Sequence, residues 1–480
     1  MSSAVTTLVL ANLGYWLVGI GAFLALGFVD RRESTWTRLP AAYLFGICVV
    51  LVPSTYLALL GVAVGWTMIA LAAFVLVVVG VVRASRGRVP VVRASPVRAR
   101  AVWLSGALAG VLFALAGYVL VVAGRAFAVS PLSLWDGWVV WALKARVLYE
   151  LPADAPGILR GSNYGPPSYP LAMPELESLG FRAIGHFDGA LIDLQLLALA
   201  FGLLGTMWSL SRGRARSLVV AITALAVLTA PQFLLQLGTN FVDIPLAVLV
   251  ASALLAAARW LSIAEGDGWS LACFVAFAGL AGLFKNEGTM FAFAAIVALL
   301  ICARLTGGRR VRDAALASLG VLVLILPWRI YGAAYRLPTD DYDLANLVNP
   351  VYLAHHADRV QPIVSELASE LSDQGRWGLL LPVVACSLVA GLLSRRWTVG
   401  LFATVWVALA CVGLTATYWV SVLPLTNDLW GSSYRTVASI ILGAACLTPI
   451  LIDDAITVTL RAAARSASHV RARLVETRAG

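Results

Sequence analysis

WSLACFVAFAGLAGLFKNEGTMFAFAAIVALL, residues 269–300, is the stretch on which the topology of this chain turns. Its apolar run is interrupted only by KNEG at 285–288. A helix needs roughly 20 apolar residues to cross the hydrocarbon core of a bilayer. The stretch therefore reads either as one helix or as two short ones hinged at Lys285–Gly288. The loop that follows carries Arg309, Arg310 and Arg312. A single helix would leave these arginines on the outer side, against the bias of Lys and Arg toward the cytoplasm. Two helices, 269–284 and 289–304, keep them inside, and the chain is read that way.

The rest of the 480 residues follows the same pattern: 60% are hydrophobic, 12% are charged, and the mean hydropathy is +0.88. Soluble domains carry about 25% charged residues, so this composition cannot cover a water-facing surface. It excludes a cytosolic enzyme, a disordered chain, a disulfide scaffold and a conventional nucleic-acid binder. The expected fold is an all-α polytopic membrane protein with about 13 transmembrane helices. Besides the pair above, the runs are 4–29, 39–60, 63–82, 101–123, 188–210, 217–235, 244–263, 314–332, 377–393, 398–421 and 433–456. The first lacks a basic leading segment and an AxA site, so it reads as a retained span. All six cysteines fall inside apolar runs and no CxxC pair exists, so they read as membrane-buried thiols.

Charge sets the sidedness. With the N-terminus outside, loops 30–38, 83–100, 211–216, 305–313, 394–397 and the tail from 457 face the cytoplasm. That side, with the inner ends of the spans, holds 24 of the 35 basic residues and 8 of the 25 acids. The outer side holds 11 bases and 17 acids. The net charge of +10 is thus a topology signal, and no nucleic-acid partner is needed to explain it. The Arg-rich tail 461–478 reads as an inner-leaflet anchor. Two long segments, 124–187 and 333–376, share the outer side, where function concentrates on loops.

Carriers usually place ionisable groups near the midplane. Here Asp136, Asp188, Asp243, Lys285, Glu287, Arg329, Asp428 and Arg435 all fall at or just beyond the outer ends of spans. Such a ring outlines an interfacial site. The first outer loop opens with WDGWVVWALKARVLYE, 135–150, which reads as a helix lying along the membrane surface. Its i, i+4 stripe is Asp136, Val140 and Lys144; Trp138, Trp141 and Ala145 form a neighbouring stripe at headgroup depth. An interfacial anchor with an incidental Asp accounts for this segment equally well. Only Lys144 and Lys285 among the basic residues are lysine, which hints at a need for a compact ammonium at those points.

Each remaining candidate also has a plainer explanation. KNEG can be a solvated turn with Gly288 supplying backbone freedom. Asp243, just before Ile244-Pro245, can be an N-cap. Arg435 in NDLWGSSYRTV, 427–437, is either a snorkelling anchor or a phosphate fork; the fork is favoured because acids outnumber bases on that side. DDYD, 340–343, resembles a DxD metal motif, but loop acids beside a span are usually solvated. His355 and His356 are adjacent and would point apart, which disfavours a shared metal. No GxSxG, HExxH, Walker A or GxGxxG stands in its proper context.

Taken in order, WDGWVVWALKA, YPLAMP (169–174), VDIPLA, GLAGLFKNEG (279–288), PWRIYG (327–332) and WGSSYR (430–435) resemble the GT-C superfamily of integral-membrane glycosyltransferases. The nearest flavour is its bacterial branch, similar to protein O-mannosyltransferases and lipid A aminoarabinose transferases. The resemblance spans roughly residues 101–440. It implies a polyprenyl-phosphate-linked sugar donor, a seven-helix module over 101–332 with its first outer loop at 124–187, and a catalytic acid in that loop, here Asp136. Segment 333–376 would be the second long outer loop, 377–456 a C-terminal set of three helices, and 457–480 a basic cytoplasmic tail. Three further helices, 1–100, precede the module where the family usually starts at its first helix.

By the same resemblance Lys144, Tyr169, Asp243, Lys285, Glu287, Arg329 and Arg435 are the expected substrate- and phosphate-binding residues. The loop has one acid where many relatives have two, so no metal site is assigned and a divalent cation remains open. An acceptor hydroxyl attacks C1 of the sugar as a carboxylate takes its proton. The phosphate leaving group is already stable as an anion and needs cations more than an acid. The expected partners are that donor, membrane lipid and an acceptor glycan, lipid or protein; the expected place is the plasma membrane with the site outside. Two other classes fit the same outline: a polymerase or ligase using a diphosphate-linked oligosaccharide, and a lipid or solute transporter.

Overall fold

The structure, a computed structural model, describes residues 2–28, 37–86, 99–127, 134–161, 165–263, 267–338, 342–395, 397–453 and 455–457. Described residues are helical almost throughout, as an apolar chain that must satisfy its own backbone within a bilayer requires. The chain begins with α1 (Ser2–Leu26), α2 (Leu39–Ala58) and α3 (Trp66–Arg86), which pack on one another. Next comes α4 (Ala99–Phe127). The outward faces of α3 and α4 are apolar, with Leu71, Phe74, Val111 and Tyr118 exposed. Such faces suit contact with lipid and not with water.

The first long loop is folded. A π turn at Gly137–Ala142 runs directly into α5 (Leu143–Glu150), so the helix expected over 135–150 forms. After α6 (Ala155–Gly161) comes α7 (Ala172–Ile184), whose buried face packs on α5 and on α2. Asp188 caps the next helix, α8 (Gly189–Ser211), by accepting from the Ala190 N–H at 2.9 Å. That role accounts for one of the expected ring of charges without any chemistry.

Helix α9 (Ser217–Leu228) turns by 60° into α10 (Pro231–Leu237), because Pro231 cannot supply the N–H that would continue α9. Helix α11 (Asp243–Ser262) is buried around its whole circumference. It packs on α8 and on the hairpin of α12 (Gly268–Phe284) and α13 (Asn286–Thr306). Then follow α14 (Arg309–Ala334), α15 (Pro350–His355), α16 (Val360–Ser372), α17 (Gln374–Trp377) and α18 (Leu380–Leu393). Helix α19 (Trp397–Trp419) leads to α20 (Leu425–Thr436) and, past a turn at Val437, to α21 (438–453).

All thirteen expected runs are helical, but the count of spans is lower. Among the described residues ten helices are long and apolar enough to cross a membrane, or up to twelve if each bent pair is one span. The corrections have local causes. Residues 217–235 break at Pro231, and α12 has only 17 residues. Residues 377–393 shorten to the 14 of α18, where Gly378 at φ +58° ends α17 and the axis bends by 112°. The last run starts earlier than expected, at Leu425, which puts Arg435 in the final turn of α20 instead of at the start of a span. The chain is a multi-pass membrane protein. Its three N-terminal helices are integral to the bundle, since α2 packs on both α8 and α12. Cys48, Cys273, Cys302 and Cys446 are buried in the protein, whereas Cys386 lies on the outward surface of α18 and Cys411 is half-buried.

The two ends of α11 differ. At its C-terminal end Arg259 donates to the carbonyls of Leu210 and Arg212 and pairs with Asp267 at 3.2 Å. Arg214 donates to Ser262, and Arg310 to Leu261 and Ile263. Cations here satisfy the orphan carbonyls at helix C-termini. Asp243 marks the other end, roughly 25 Å away at 1.5 Å per residue. The Arg-rich loop 83–100 lies mostly outside the described residues, as does almost all of the tail from 457.

Candidate active site at the Asp243 end of the bundle

Lys285 is the one residue between α12 and α13, in extended backbone at φ −151° and ψ 157°. Gly288 allows that tight reversal for a reason other than backbone freedom. A Cβ there would lie 1.9 Å from the Ala281 carbonyl oxygen. The Lys285 ammonium, almost fully buried, sits 2.9 Å from Oδ1 of Asp243 and 3.0 Å from Oε1 of Glu287. Burial works against its charge, and Asp243 with Glu287 overcomes that, holding the ammonium above the ordinary lysine range. Asp243 is therefore a lysine partner, not an N-cap: it caps nothing with its side chain.

Arg435 joins this group from α20. Its guanidinium pairs with Asp136, and its Nε lies 4.0 Å from Oδ2 of Asp243. Its plane sits 4.6 Å over the ring of Phe241. The result is an alternating row, Asp136, Arg435, Asp243, Lys285, Glu287, drawn from the first long loop, α20, α11 and the α12–α13 reversal. Three carboxylates against two cations leave the row with negative charge in excess. Asp136 is its most exposed member, with 29% of its side chain accessible against 5% for Asp243.

A cavity of about 460 Å³ opens over the row, with Asp136, Arg435, Lys285 and Glu287 in its lining. Trp135, Val140, Pro166 and Tyr169 wall it on one side, Leu414 and Leu423 on another. A band of hydroxyls also lines it. Tyr418 is 2.8 Å from Ser432 and 3.0 Å from Thr436, and Ser432 donates to the Asp428 carbonyl. Sequence reasoning missed Tyr418, Ser432 and Thr436. Nothing in TYWV at the end of an apolar run separates Tyr418 from an interfacial aromatic.

Three expected residues play supporting parts. Lys144 is 1% exposed; it donates to the Pro166 carbonyl at 2.7 Å and lies over the Tyr169 ring. It buttresses the cavity wall and does not reach the interior. Tyr169 does line the cavity and stacks on Trp141, with parallel rings 5.5 Å apart. Arg329 donates to Asn286 at 3.0 Å and to Thr289, tying α14 to the first turn of α13 beside Lys285. The expected headgroup stripe also changes. Trp141 and Ala145 are buried, while Trp135 and Trp138 are exposed.

The turn 239–242 fixes Asp136 from behind. Asn240, at φ +52°, donates from Nδ2 to the Gly137 carbonyl at 3.0 Å. A Cβ on Gly137 would lie 2.4 Å from the Thr239 carbonyl oxygen, so only glycine permits this contact. Among the described residues no three His, Cys, Asp or Glu side chains converge as metal ligands. Asp340 and Asp341 of DDYD lie outside the described residues. His355 and His356 have rings inclined at 82°, as expected for neighbours on a helix.

No protein-family model matches this chain, and no curated protein does. Among solved structures it is similar to the crystal structure of ArnT from Cupriavidus metallidurans bound to undecaprenyl phosphate, with 18% sequence identity and a TM-score of 0.48. The match covers 71% of this chain and 60% of that one, so the chain spans under two thirds of the length of the protein it resembles.

Proposed function

We propose that the chain is a membrane glycosyltransferase that moves a sugar from a polyprenyl-phosphate-linked donor to an acceptor hydroxyl on the outer face of the membrane. The observation that carries this reading is the ion pair between Arg435 and Asp136 at the mouth of a cavity large enough for a sugar phosphate. Asp136 is the base and Arg435, with Lys285 behind it, neutralises the phosphate. The acceptor oxygen attacks C1 of the sugar as its proton passes to an Asp136 oxygen. The C1–O bond to phosphate breaks, and its electron pair leaves with the polyprenyl phosphate. That leaving group carries one more negative charge than the donor, so a guanidinium at the phosphate gains most as the bond breaks.

The Arg435–Asp136 pair supports a coupling between the two roles. A carboxylate held by arginine is a poor base, because its charged form is already satisfied. An incoming phosphate competes for the same guanidinium and frees Asp136 as it binds. The hydroxyl band of Tyr418, Ser432 and Thr436 suits a polyhydroxy ring. The test is sugar transfer in proteoliposomes from a synthetic polyprenyl-phosphate sugar, read by mass spectrometry of the acceptor. Transfer lost in Asp136→Asn but kept in a cavity-distant control such as Ser372→Ala supports the reading. Transfer that needs a diphosphate-linked oligosaccharide, or substrate movement without bond cleavage, overturns it.

A further inference from the structure

Behind Asp136, away from the cavity, α7 and α8 bury two carboxyl groups that no cation among the described residues pairs with. Glu177 is 2% exposed and Asp193 1%, and among the described residues no oxygen of either carboxyl has a hydrogen-bond partner within 3.5 Å. The cation of α7, Arg182, is committed elsewhere. It bonds Glu175 at 2.9 Å and the carbonyls of Val64 and Leu148. The polar neighbour of Glu177 is Asn240, itself fully buried, with Oδ1 also unpartnered. Asn240 uses one N–H on the Gly137 carbonyl, which leaves it a second N–H to donate beside its unpartnered Oδ1.

An ionised carboxylate buried without a partner is strongly disfavoured, and a neutral carboxyl avoids most of that penalty. A neutral carboxyl also has the same pattern as a primary amide edge, one acceptor beside one donor. We propose that Glu177 is held as the neutral acid and pairs edge to edge with the Asn240 side chain. Its O–H donates to Oδ1 and its carbonyl oxygen accepts from the second Nδ2–H. The pair closes three otherwise unpartnered atoms together: both Glu177 oxygens and Asn240 Oδ1. It also forbids the flipped amide, so the other N–H must point at Gly137 and hold the backbone next to Asp136. Burial pushes the Glu177 carboxyl well above the usual carboxylate range; the neighbouring Asn240 amide opposes that rise and Asp193 on α8 adds to it.

Glu177 is on this account a positioning residue acting through Asn240, which rests on the proposed role of Asp136. Its signature is rescue by the amide. Glu177→Gln keeps both hydrogen-bond directions, since the glutamine N–H replaces the acid O–H. It should hold kcat within about twofold of the wild type. Glu177→Ala and Asn240→Ala should lower kcat by about tenfold to a hundredfold, the range for a slightly misplaced catalytic group, with donor KM nearly unchanged. A second measurement is independent of any transferase activity and of how well the alanine variants fold. Infrared difference spectra of the full-length protein at pH 7 should show a carboxylic-acid carbonyl component that is lost in Glu177→Gln and retained in Glu175→Gln and Asp193→Asn. Glu177→Gln as damaging as Glu177→Ala, or no acid band lost in Glu177→Gln, overturns the proposal. Absence of sugar transfer in every variant, with the band present and assigned, would overturn the proposed function alone.

Discussion

Arg435 in the last turn of α20 and Asp136 just before the π turn of the first long loop form an ion pair, although almost three hundred residues separate them in sequence. The pair joins the C-terminal helices to that loop in the lining of the cavity. It also makes the candidate base and the candidate phosphate partner mutually exclusive in their contacts.

Replacing Asp136 with Asn removes the proton acceptor and keeps the side-chain volume. General-base assistance is worth about 10²–10⁴-fold, so turnover should fall by that order. Donor affinity should stay the same or rise, because Arg435 no longer has a competing carboxylate. Turnover and donor binding measured on the same proteoliposomes separate the two effects. An Asp136→Asn variant that transfers sugar at the normal rate would leave the loop as an anchor.

Arg435→Ala should weaken donor use by roughly tenfold to a hundredfold, since a hydrogen bond to a charged group contributes about 1.5–3 kcal/mol. Arg435→Lys should restore only part of that, because a point charge cannot fork onto two phosphate oxygens. Donor titration by intrinsic tryptophan fluorescence would read both variants, with Trp135 at the cavity wall as the reporter.

Asp243→Asn should be a stability lesion before it is a catalytic one. It leaves Lys285 with Glu287 alone and removes a counter-charge from Arg435. Breaking a buried pair typically costs about 3–5 kcal/mol, so the variant should melt markedly lower in detergent. Adding Lys285→Met should recover part of that loss, because residues in one ion-pair network couple by about 0.5–3 kcal/mol. Strict additivity of the two melting shifts would argue that the pair does not interact.

The Glu175 contribution to stability should fall as pH rises from about 4.5 to 7. Burial pushes the Glu175 carboxyl up to about 7, against the pull of Arg182. An acid whose folded value lies above its unfolded one binds its proton more tightly when folded. Its contribution is therefore full below about pH 4.5, the ordinary glutamate value, and is lost between there and pH 7. Melting temperature measured from pH 5 to 7.5 should decline, and Glu175→Gln should flatten that decline. A wild-type melting temperature that climbs across the window would contradict the assignment.

Much of the fold was legible because a bilayer leaves few options. Apolar runs become helices, and the split at Lys285 followed from where Arg309, Arg310 and Arg312 had to lie. The span count failed where one residue ends a helix, as Pro231 and Gly378 do, since hydropathy averages over them. For the site, position along the spans singled out Asp136, Asp243, Lys285, Glu287 and Arg435 as neighbours of the outer interface. It could not say which acid pairs with which base, because pairing depends on how distant helices pack. Lys144 misled for the same reason: a lysine near Asp136 in sequence has a carbonyl partner, Pro166, that only the folded loop supplies. The hydroxyls of Ser432 and Thr436 carry no sequence signal, since such side chains commonly bond back to their own helix.

The π turn at Gly137–Ala142 fixes how the first loop tolerates change. A π turn is an α-helix carrying one residue more than its neighbours need. Deleting one residue from it would leave a continuous, well-bonded α-helix, so folding of the loop itself would survive. Yet each α-helical residue advances by about 100°, and the lost residue would swing Asp136 around the axis relative to Lys144 and the buried face of α5. The carboxylate would turn away from Arg435 while every charged residue remained in the sequence. The register of one turn, more than the presence of an acid, decides whether this loop can take part in chemistry.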